Sequence, residues 1–198
     1  MKSNGFNKIN TAVFISGNGS NLKNLIKFSL SKNSPINIKF VLSDKKNAKG
    51  LRFPKLHNIN YKIYNFSDKS NVENKIIKDL KKKQIKLICL AGFLKILSKN
   101  FIKKFKNEIL NIHPSLLPKY KGLNTHKRVI ENNEKYTGCT VHVVNAKLDA
   151  GKIILQKKVK INKKDNYKSL AKKVLKQEHV LYPRAIKKFL ILKKKFYL

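Results

Sequence analysis

The stretch TAVFISGNGSNLKNLIKFSL, residues 11–30, decides how the chain is read. Thr11–Ser16 is a short apolar run and reads as a buried strand. Leu22, Leu25, Ile26 and Leu30 follow at helical spacing. Between them, Ser16-Gly17-Asn18-Gly19-Ser20-Asn21 turns one element directly into the next. The two glycines permit positive φ and let backbone come close to a ligand. The N–H groups of Gly19, Ser20 and Asn21 would point outward at the positive end of the helix dipole, an arrangement suited to one phosphate monoester. The turn lacks the Gly-Lys-Ser/Thr ending of a Walker loop, and Leu22 stands where a dinucleotide fingerprint has its third glycine. The plainer reading is a tight strand-to-helix turn with Ser20 as N-cap.

The same alternation continues outward. Ile36–Ser43 predicts a second strand, and a short segment over Ala48–Leu56 follows, interrupted by Pro54. Tyr61–Tyr64 is a third strand, and Val72, Ile76, Ile77 and Leu80 give the next helix one apolar face. Ile85–Leu90 is a fourth, central strand, a short helix covers Lys99–Phe105, and Ile109–Ile112 is a fifth strand. A Pro-rich loop, a helix at Thr125–Asn132 and two strands, Gly138–Val144 and Lys152–Ile161, come next; the last two are close enough to pair antiparallel at a sheet edge. A long helix starts near Tyr167, with a kink predicted at Pro183. This order predicts an α/β fold: an open, mostly parallel twisted sheet with helices on both faces. There is no repeat and no linker, so residues 1–198 are expected to form a single domain. Ligands of such a sheet gather at the carboxyl ends of its strands, here after Ser16, Leu90, Ile112 and Val144.

Composition narrows the function classes. The chain carries 46 Lys and Arg against 10 Asp and Glu, a formal net charge of +36. Such a balance invites a nucleic-acid reading. However, the basic residues run through nearly every segment beside heavy use of Asn and Ile, a pattern that drift in an A+T-rich genome produces without selecting a partner. There is no basic patch alternating with aromatics, no RNA-recognition signature and no zinc spacing, so no specific nucleic-acid partner and no metal are expected. The charge should still favour anionic ligands through its long-range field. No apolar run is long enough to cross a bilayer, and the polar stretch Met1–Asn10 lacks an export signal, which together predict a cytoplasmic protein without a membrane partner. Cys89 and Cys139 sit in apolar stretches and read as buried free thiols.

Asn111-Ile112-His113-Pro114 is a sharper signal. In an extended segment residues two apart share a side, so Asn111 and His113 project together while Ile112 faces the core. Pro114 holds His113 extended. An amide and an imidazole aimed at one spot can hydrogen-bond a carbonyl oxygen as it turns negative. Asp149, in Leu148-Asp149-Ala150-Gly151, is the only carboxylate between Glu134 and Asp165. Beside an imidazole it would favour the imidazolium and raise its pKa. The alternatives are a capped strand-end histidine and an ordinary turn aspartate before Gly151.

With these residues in place, the chain resembles the folate-dependent phosphoribosylglycinamide formyltransferases of purine biosynthesis, from about Thr11 to about Pro183. Seven blocks occur in the family's order: FISGNGSNL (Phe14–Leu22), VLSDKKNAKGL (Val41–Leu51), LAGFLKILS (Leu90–Ser98), NIHPSLLPKYKGLNTH (Asn111–His126), GCTVHVV (Gly138–Val144), LDAGKIILQ (Leu148–Gln156) and QEHVLYP (Gln177–Pro183). That agreement is far beyond chance. The resemblance implies a formyltransferase, Rossmann-like fold and transfer of a formyl group from 10-formyltetrahydrofolate, as co-substrate, to the amine of glycinamide ribonucleotide. It implies that Asn111, His113 and Asp149 are the catalytic trio and that Gly19, Ser20 and Asn21 hold the ribose 5-phosphate. Leu175, Lys176, Gln177 and Glu178 match the stretch that contacts the glycinamide substrate; the plainer reading of Glu178 is a solvated helix charge. Leu94, Lys95, Ile96 and Leu97, with Asn145, Ala146, Lys147, Leu148 and Asp149, match segments that grip the pterin, Asn111 bordering them. Lys69 falls where the family uses arginine toward the folate's carboxylate tail, and lysine cannot make the bidentate fork. Leu94 stands where Met is frequent, and Cys139 and Thr140 where small hydroxyl residues are usual. The family further implies a cis Leu117–Pro118 peptide; the chain itself is expected to be a monomer or weak homodimer. His142 lies near the site in this scheme and His126 at a helix start, while His57 and His179 receive no role. Methionyl-tRNA formyltransferase shares the Asn-x-His loop but adds an RNA-binding domain and lacks the GNGSN turn. Formyltetrahydrofolate deformylase normally begins with a regulatory domain. A basic RNA-binding module would leave the seven blocks unexplained.

Overall fold

A computed structural model describes residues 8–196, with side chains as far as residue 193. Residues 1–7 of the polar N-terminal stretch lie outside the described residues. The chain divides into two compact units, Met1–Leu110 and Asn111–Leu198. Seven strands form one mostly parallel sheet in the order β3-β2-β1-β4-β5-β6-β7, with β5 (Glu108–His113) passing from one unit to the other.

In the first unit, β1 (Ile9–Ile15) pairs in parallel with β2 (Ile36–Ser43) and β4 (Leu87–Leu90), and β2 pairs with β3 (Asn60–Ile63). Ala12, Val13, Phe14 and Ile15 are wholly buried, as a strand covered on both faces must be. α1 (Ser20–Leu30) buries Leu22, Leu25 and Ile26, whereas Leu30, on the same predicted stripe, is exposed at the helix end. α3 (Lys69–Lys82) buries the predicted face of Val72, Ile76, Ile77 and Leu80, and Asp68 caps it by accepting a bond from the Asn71 N–H. Pro54 does not interrupt its segment. It lies in the first turn of α2 (Arg52–Leu56), after a 3-10 turn at Lys49–Leu51, where the missing N–H has no helical partner to lose. α4 (Lys99–Phe105) starts at Ser98, whose hydroxyl caps Phe101 N–H and bonds the buried Glu73.

In the second unit, α5 (Thr125–Glu131) leads to the antiparallel pair β6 (Tyr136–Val143) and β7 (Ile153–Lys160). α6 (Tyr167–Phe196) packs on both strands and runs unbroken through Pro183. Its buried stripe repeats at helical spacing through Leu170, Val174, Leu181, Tyr182, Ala185 and Ile186. Both cysteines are free and buried, as their apolar settings predicted. No helix among the described residues is long and apolar enough to cross a membrane.

Candidate functional site

The second unit gathers Asn111, His113, His142 and Asp149 into one polar cluster. β5 ends at His113, and Pro114 follows it. Asn111 and His113 fall two residues apart with Ile112 buried between them, so both reach the same neighbours. Asp149 arrives from the loop after β6. That loop lies on β6 because Gly151 has no side chain: a Cβ there would stand 1.7 Å from the Val143 carbonyl oxygen. Asp149 itself adopts φ 45, in the left-handed region that aspartate tolerates better than most residues.

The distances define the chemistry. His113 Nδ1 lies 3.4 Å from Asp149 Oδ2, and the Asn111 amide donates to Asp149 Oδ1 at 3.5 Å. The Gly122 N–H donates to Asp149 Oδ2 at 2.8 Å. His142 Nε2 stands 3.2 Å from Asn111 Nδ2 and 3.6 Å from Asp149 Oδ1, while its Nδ1 lies 3.0 Å from the Val143 carbonyl. His113 Nε2 is 2.8 Å from the Tyr120 carbonyl oxygen. A carbonyl only accepts, so Nε2 carries the proton.

Geometry and burial pull the charge of His113 in opposite directions. Burial lowers its pKa below the ordinary histidine value, and the Tyr120 carbonyl and Asp149 carboxylate, which pull the other way, do not recover it. Burial pushes the Asp149 carboxyl up, but contacts with the His142 ring and the Gly122 N–H, with the field of the histidines, outweigh it and hold the group ionised.

The loop that supplies Tyr120 and Gly122 is pinned from below. Thr140 Oγ1 donates to the Ser115 carbonyl at 2.6 Å and accepts from Leu117 N–H at 3.1 Å. Gln156 Nε2 donates to the Leu117 carbonyl at 2.8 Å and to Thr140 Oγ1 at 2.9 Å. The Leu117–Pro118 peptide is cis, as the resemblance implied. Tyr120 Oη donates to Glu134 Oε1 at 2.9 Å. His142, Thr140, Gln156, the Tyr120 carbonyl and the Gly122 N–H were not assigned roles from sequence. Thr140 and His142 stand two apart on one strand, which is the alternation that could have flagged them.

The remaining predicted residues divide between the units. In the first, Gly19 rather than Ser20 holds the N-cap position of α1, with φ 69 and ψ 28, and Ser20 opens the helix. Leu94 and Ile96 are exposed in the loop after β4, with Lys95 beside them, and Leu97 is buried. Ser16 Oγ accepts from the Leu94 N–H at 2.8 Å and fixes that loop. Lys69 is the first residue of α3 and is exposed. In the second unit, Asn145, Ala146, Lys147 and Leu148 are exposed, with the Asn145 side chain accepting from Lys147 N–H and donating to the Ala150 carbonyl. Of the α6 residues, Lys176 is exposed, Leu175 and Gln177 are half-buried, and Glu178 is buried. Glu178 is therefore no solvated helix charge: it falls on the buried stripe of α6, and its carboxylate helps raise the Cys139 thiol. His126 is the second residue of α5, with its pKa lowered by burial and by His113.

Comparison with known proteins agrees with this architecture. The formyl transferase family model matches residues 9–186. The phosphoribosylglycinamide formyltransferase of Haemophilus influenzae is 42% identical over 181 residues, covering 90% of this chain and 85% of that protein. The trifunctional purine biosynthetic protein adenosine-3 of Gallus gallus is 40% identical over 183 residues; 91% of this chain is covered, but the chain spans only 18% of that protein's length. The crystal structure of phosphoribosylglycinamide formyltransferase from Brucella melitensis superposes with a TM-score of 0.87 at 40% identity, covering 92% of this chain and 95% of that one. A match over nearly the whole chain, on a sheet of the same architecture, means that the chain belongs to the formyl transferase family.

Proposed function

We propose that this chain is a cytoplasmic phosphoribosylglycinamide formyltransferase, moving the formyl group of 10-formyltetrahydrofolate to the amine of 5-phosphoribosylglycinamide in de novo purine biosynthesis. The observation that carries the reading is the buried Asn111–His113–Asp149 cluster, with 3.4 Å between imidazole and carboxylate, in a chain 42% identical to a protein of that name.

The residues present fit both substrates. In the second unit, exposed Leu148 offers apolar surface to a flat pterin and the backbone of Asn145–Asp149 offers it polar partners; in the first, Leu94 and Ile96 are exposed apolar side chains of the kind a pterin uses. Lys69 serves the carboxylate tail as a point charge. The turn at Gly19, Ser20 and Asn21 takes the phosphate, and Leu175–Glu178 the glycinamide. When bound, the folate supplies an electrophilic formyl carbon, and attack by the glycinamide amine leaves negative charge on the formyl oxygen. Asn111, giving up its long bond to Asp149, and His113 donate hydrogen bonds to that oxygen. To do so His113 Nε2–H must exchange the Tyr120 carbonyl for the substrate, so the loop carrying Tyr120 yields on binding. Asp149 stabilises the positive character that His113 acquires, and holds the water that relays a proton from the attacking nitrogen to the leaving one. His142 orients the Asn111 amide. No covalent enzyme intermediate and no metal enter this route.

The test is to mix the protein with glycinamide ribonucleotide and 10-formyltetrahydrofolate and follow tetrahydrofolate release, with formyl-accepting initiator tRNA as the control acceptor. Release with the ribonucleotide alone is the expected result; formylation of tRNA in its place overturns the assignment.

A further inference from the structure

Gly50 belongs to no segment given a substrate role above, yet it is in backbone contact with the glycine turn. A Cβ built on Gly19 would stand 2.6 Å from Gly50 Cα, and one built on Gly50 would stand 2.8 Å from Gly19 Cα and 3.0 Å from Gly19 N. Two chain segments therefore touch with no side chain between them. The Gly50 N–H also donates to the Gly17 carbonyl at 2.9 Å, gripping the turn two residues before Gly19. Phe53 flanks the contact, its Cδ2 3.5 Å from the Gly19 Cβ position. Gly19 needs its positive φ of 69 to start α1, and its own carbonyl accepts the Lys23 N–H at 2.8 Å.

From this packing we infer that Gly50 is a positioning residue for substrate phosphate. The 3-10 turn Lys49–Leu51 is a rigid backstop that sets where the N–H groups of Gly19, Ser20 and Asn21 point. The inference rests on the phosphate role proposed for that turn and adds the element that holds it in register. The two glycines serve different needs. Gly19 must be glycine for its backbone angle as well as its surroundings. Gly50 has an ordinary φ, so alanine there adopts the same backbone and can act only by pushing on what it meets. Its Cβ would meet the Gly19 backbone and one movable group, Ile15 Cδ1, at 2.7 Å. Backbone cannot rotate away as a side-chain end can, so the turn shifts by a few tenths of an ångström to about 1 Å. Displacements of that size cost up to about 10²-fold where geometry is demanding.

The experiment compares wild type, Gly50→Ala and the double variant Ile15→Val/Gly50→Ala, which removes the Cδ1 that alanine would strike. Titration calorimetry gives affinity for glycinamide ribonucleotide and for 10-formyltetrahydrofolate separately, and steady-state assays give KM for each. Gly50→Ala should weaken ribonucleotide binding roughly tenfold or more while folate affinity changes less than about twofold, and the double variant should remain weak. Equal losses for both substrates, no loss, or recovery in the double variant would overturn the proposal, the last because Ile15 and not the turn would have been displaced. If alanine prevents folding, hydrogen exchange at the wild-type Gly50 amide decides: protection should rise when the ribonucleotide binds, and unchanged protection refutes the coupling. Failure of the wild type to bind the ribonucleotide refutes the functional reading itself, a separate outcome.

Discussion

Replacing Asp149 by Asn isolates the charge of the cluster from its shape. Asparagine tolerates the left-handed φ of 45, and its amide oxygen can still accept the Gly122 N–H, so backbone and loop contact survive. What disappears is a negative charge 3.4 Å from His113 Nδ1, together with the acceptor that Asp149 Oδ1 offers the Asn111 amide at 3.5 Å. Burial lowers the His113 pKa, and the charge counts most as the imidazole gains positive character in the transition state. A full charge pair at that distance interacts by about 5 kcal/mol at an effective dielectric constant near 20. Partial charge development and the remaining amide dipole reduce this to about 3–4 kcal/mol, on the order of 10²–10³ in turnover. Because the interaction is strongest in the transition state, the loss should appear in kcat with KM nearly unchanged. The assay is steady-state tetrahydrofolate release at saturating substrates, with thermal melts to show that the variant is folded. A folded Asp149→Asn protein with kcat within about threefold of wild type would refute electrostatic support of His113.

Acid should destabilise the fold in two steps. His113 is depressed in the folded state, so below the ordinary histidine value of 6.5 the unfolded chain takes up a proton that the folded one refuses. Stability from this group is therefore complete above that pH and falls by at most about 1.4 kcal/mol per pH unit until the folded pKa is passed. Asp149, Asp79, Asp165 and Glu134 are also depressed, so their contribution holds above the usual carboxylate range and is lost as pH drops through the folded values; chemical denaturation from pH 8 to pH 3 measures both steps. With 46 cations against 10 anions, screening should relieve more repulsion than attraction, so the melting temperature should rise as NaCl goes from about 20 to about 300 mM; a fall would mean the few ion pairs dominate. The Cys139 thiol, pushed up to about 12 by burial and then by the Glu178 carboxylate, should resist iodoacetamide in the native protein at pH 8 and react once denatured, as mass spectrometry would record.

The fold was legible because its strands are short apolar runs separated by amphipathic helices. Ile36–Ser43 and Lys99–Phe105 fall where the pattern puts them. β1 starts two residues before the predicted Thr11, since Ile9 and Asn10 join by backbone pairing with Ile36 and Asn37 rather than by an apolar face. β3 is displaced by one residue, being fully exposed and without a buried face to mark its register. At the site, Asn111 and His113 were readable from strand alternation, and Asp149 from the scarcity of carboxylates around it. His142 was placed near the site only through the resemblance, because a histidine inside an apolar strand otherwise looks like core. The Tyr120 carbonyl and Gly122 N–H are backbone atoms, which leave no trace in residue type. Sequence reveals the carboxylate partner of His113 but not the depth of its burial, which lowers its pKa.

The few acidic residues show how a strongly basic chain still builds a defined polar site. Asp68 caps α3, and Glu73 accepts from the Ser98 N–H and hydroxyl. Asp79 meets Lys62 and Tyr64, Glu134 meets Lys119 and Tyr120, and Asp165 meets Lys173 and Ser169. Apart from Asp68, which accepts from the Asn71 N–H, each carboxylate named accepts from two or more donors, and all have local partners on their own unit. Asp149 differs in kind: its nearest charged or chargeable neighbours are histidines, groups able to change protonation near neutral pH. A lysine in their place would hold its proton throughout and could only anchor the carboxylate. An imidazole can take up or release charge as the reaction demands, which is why the net charge, large as it is, says little about the chemistry and the Asp149 contacts say much.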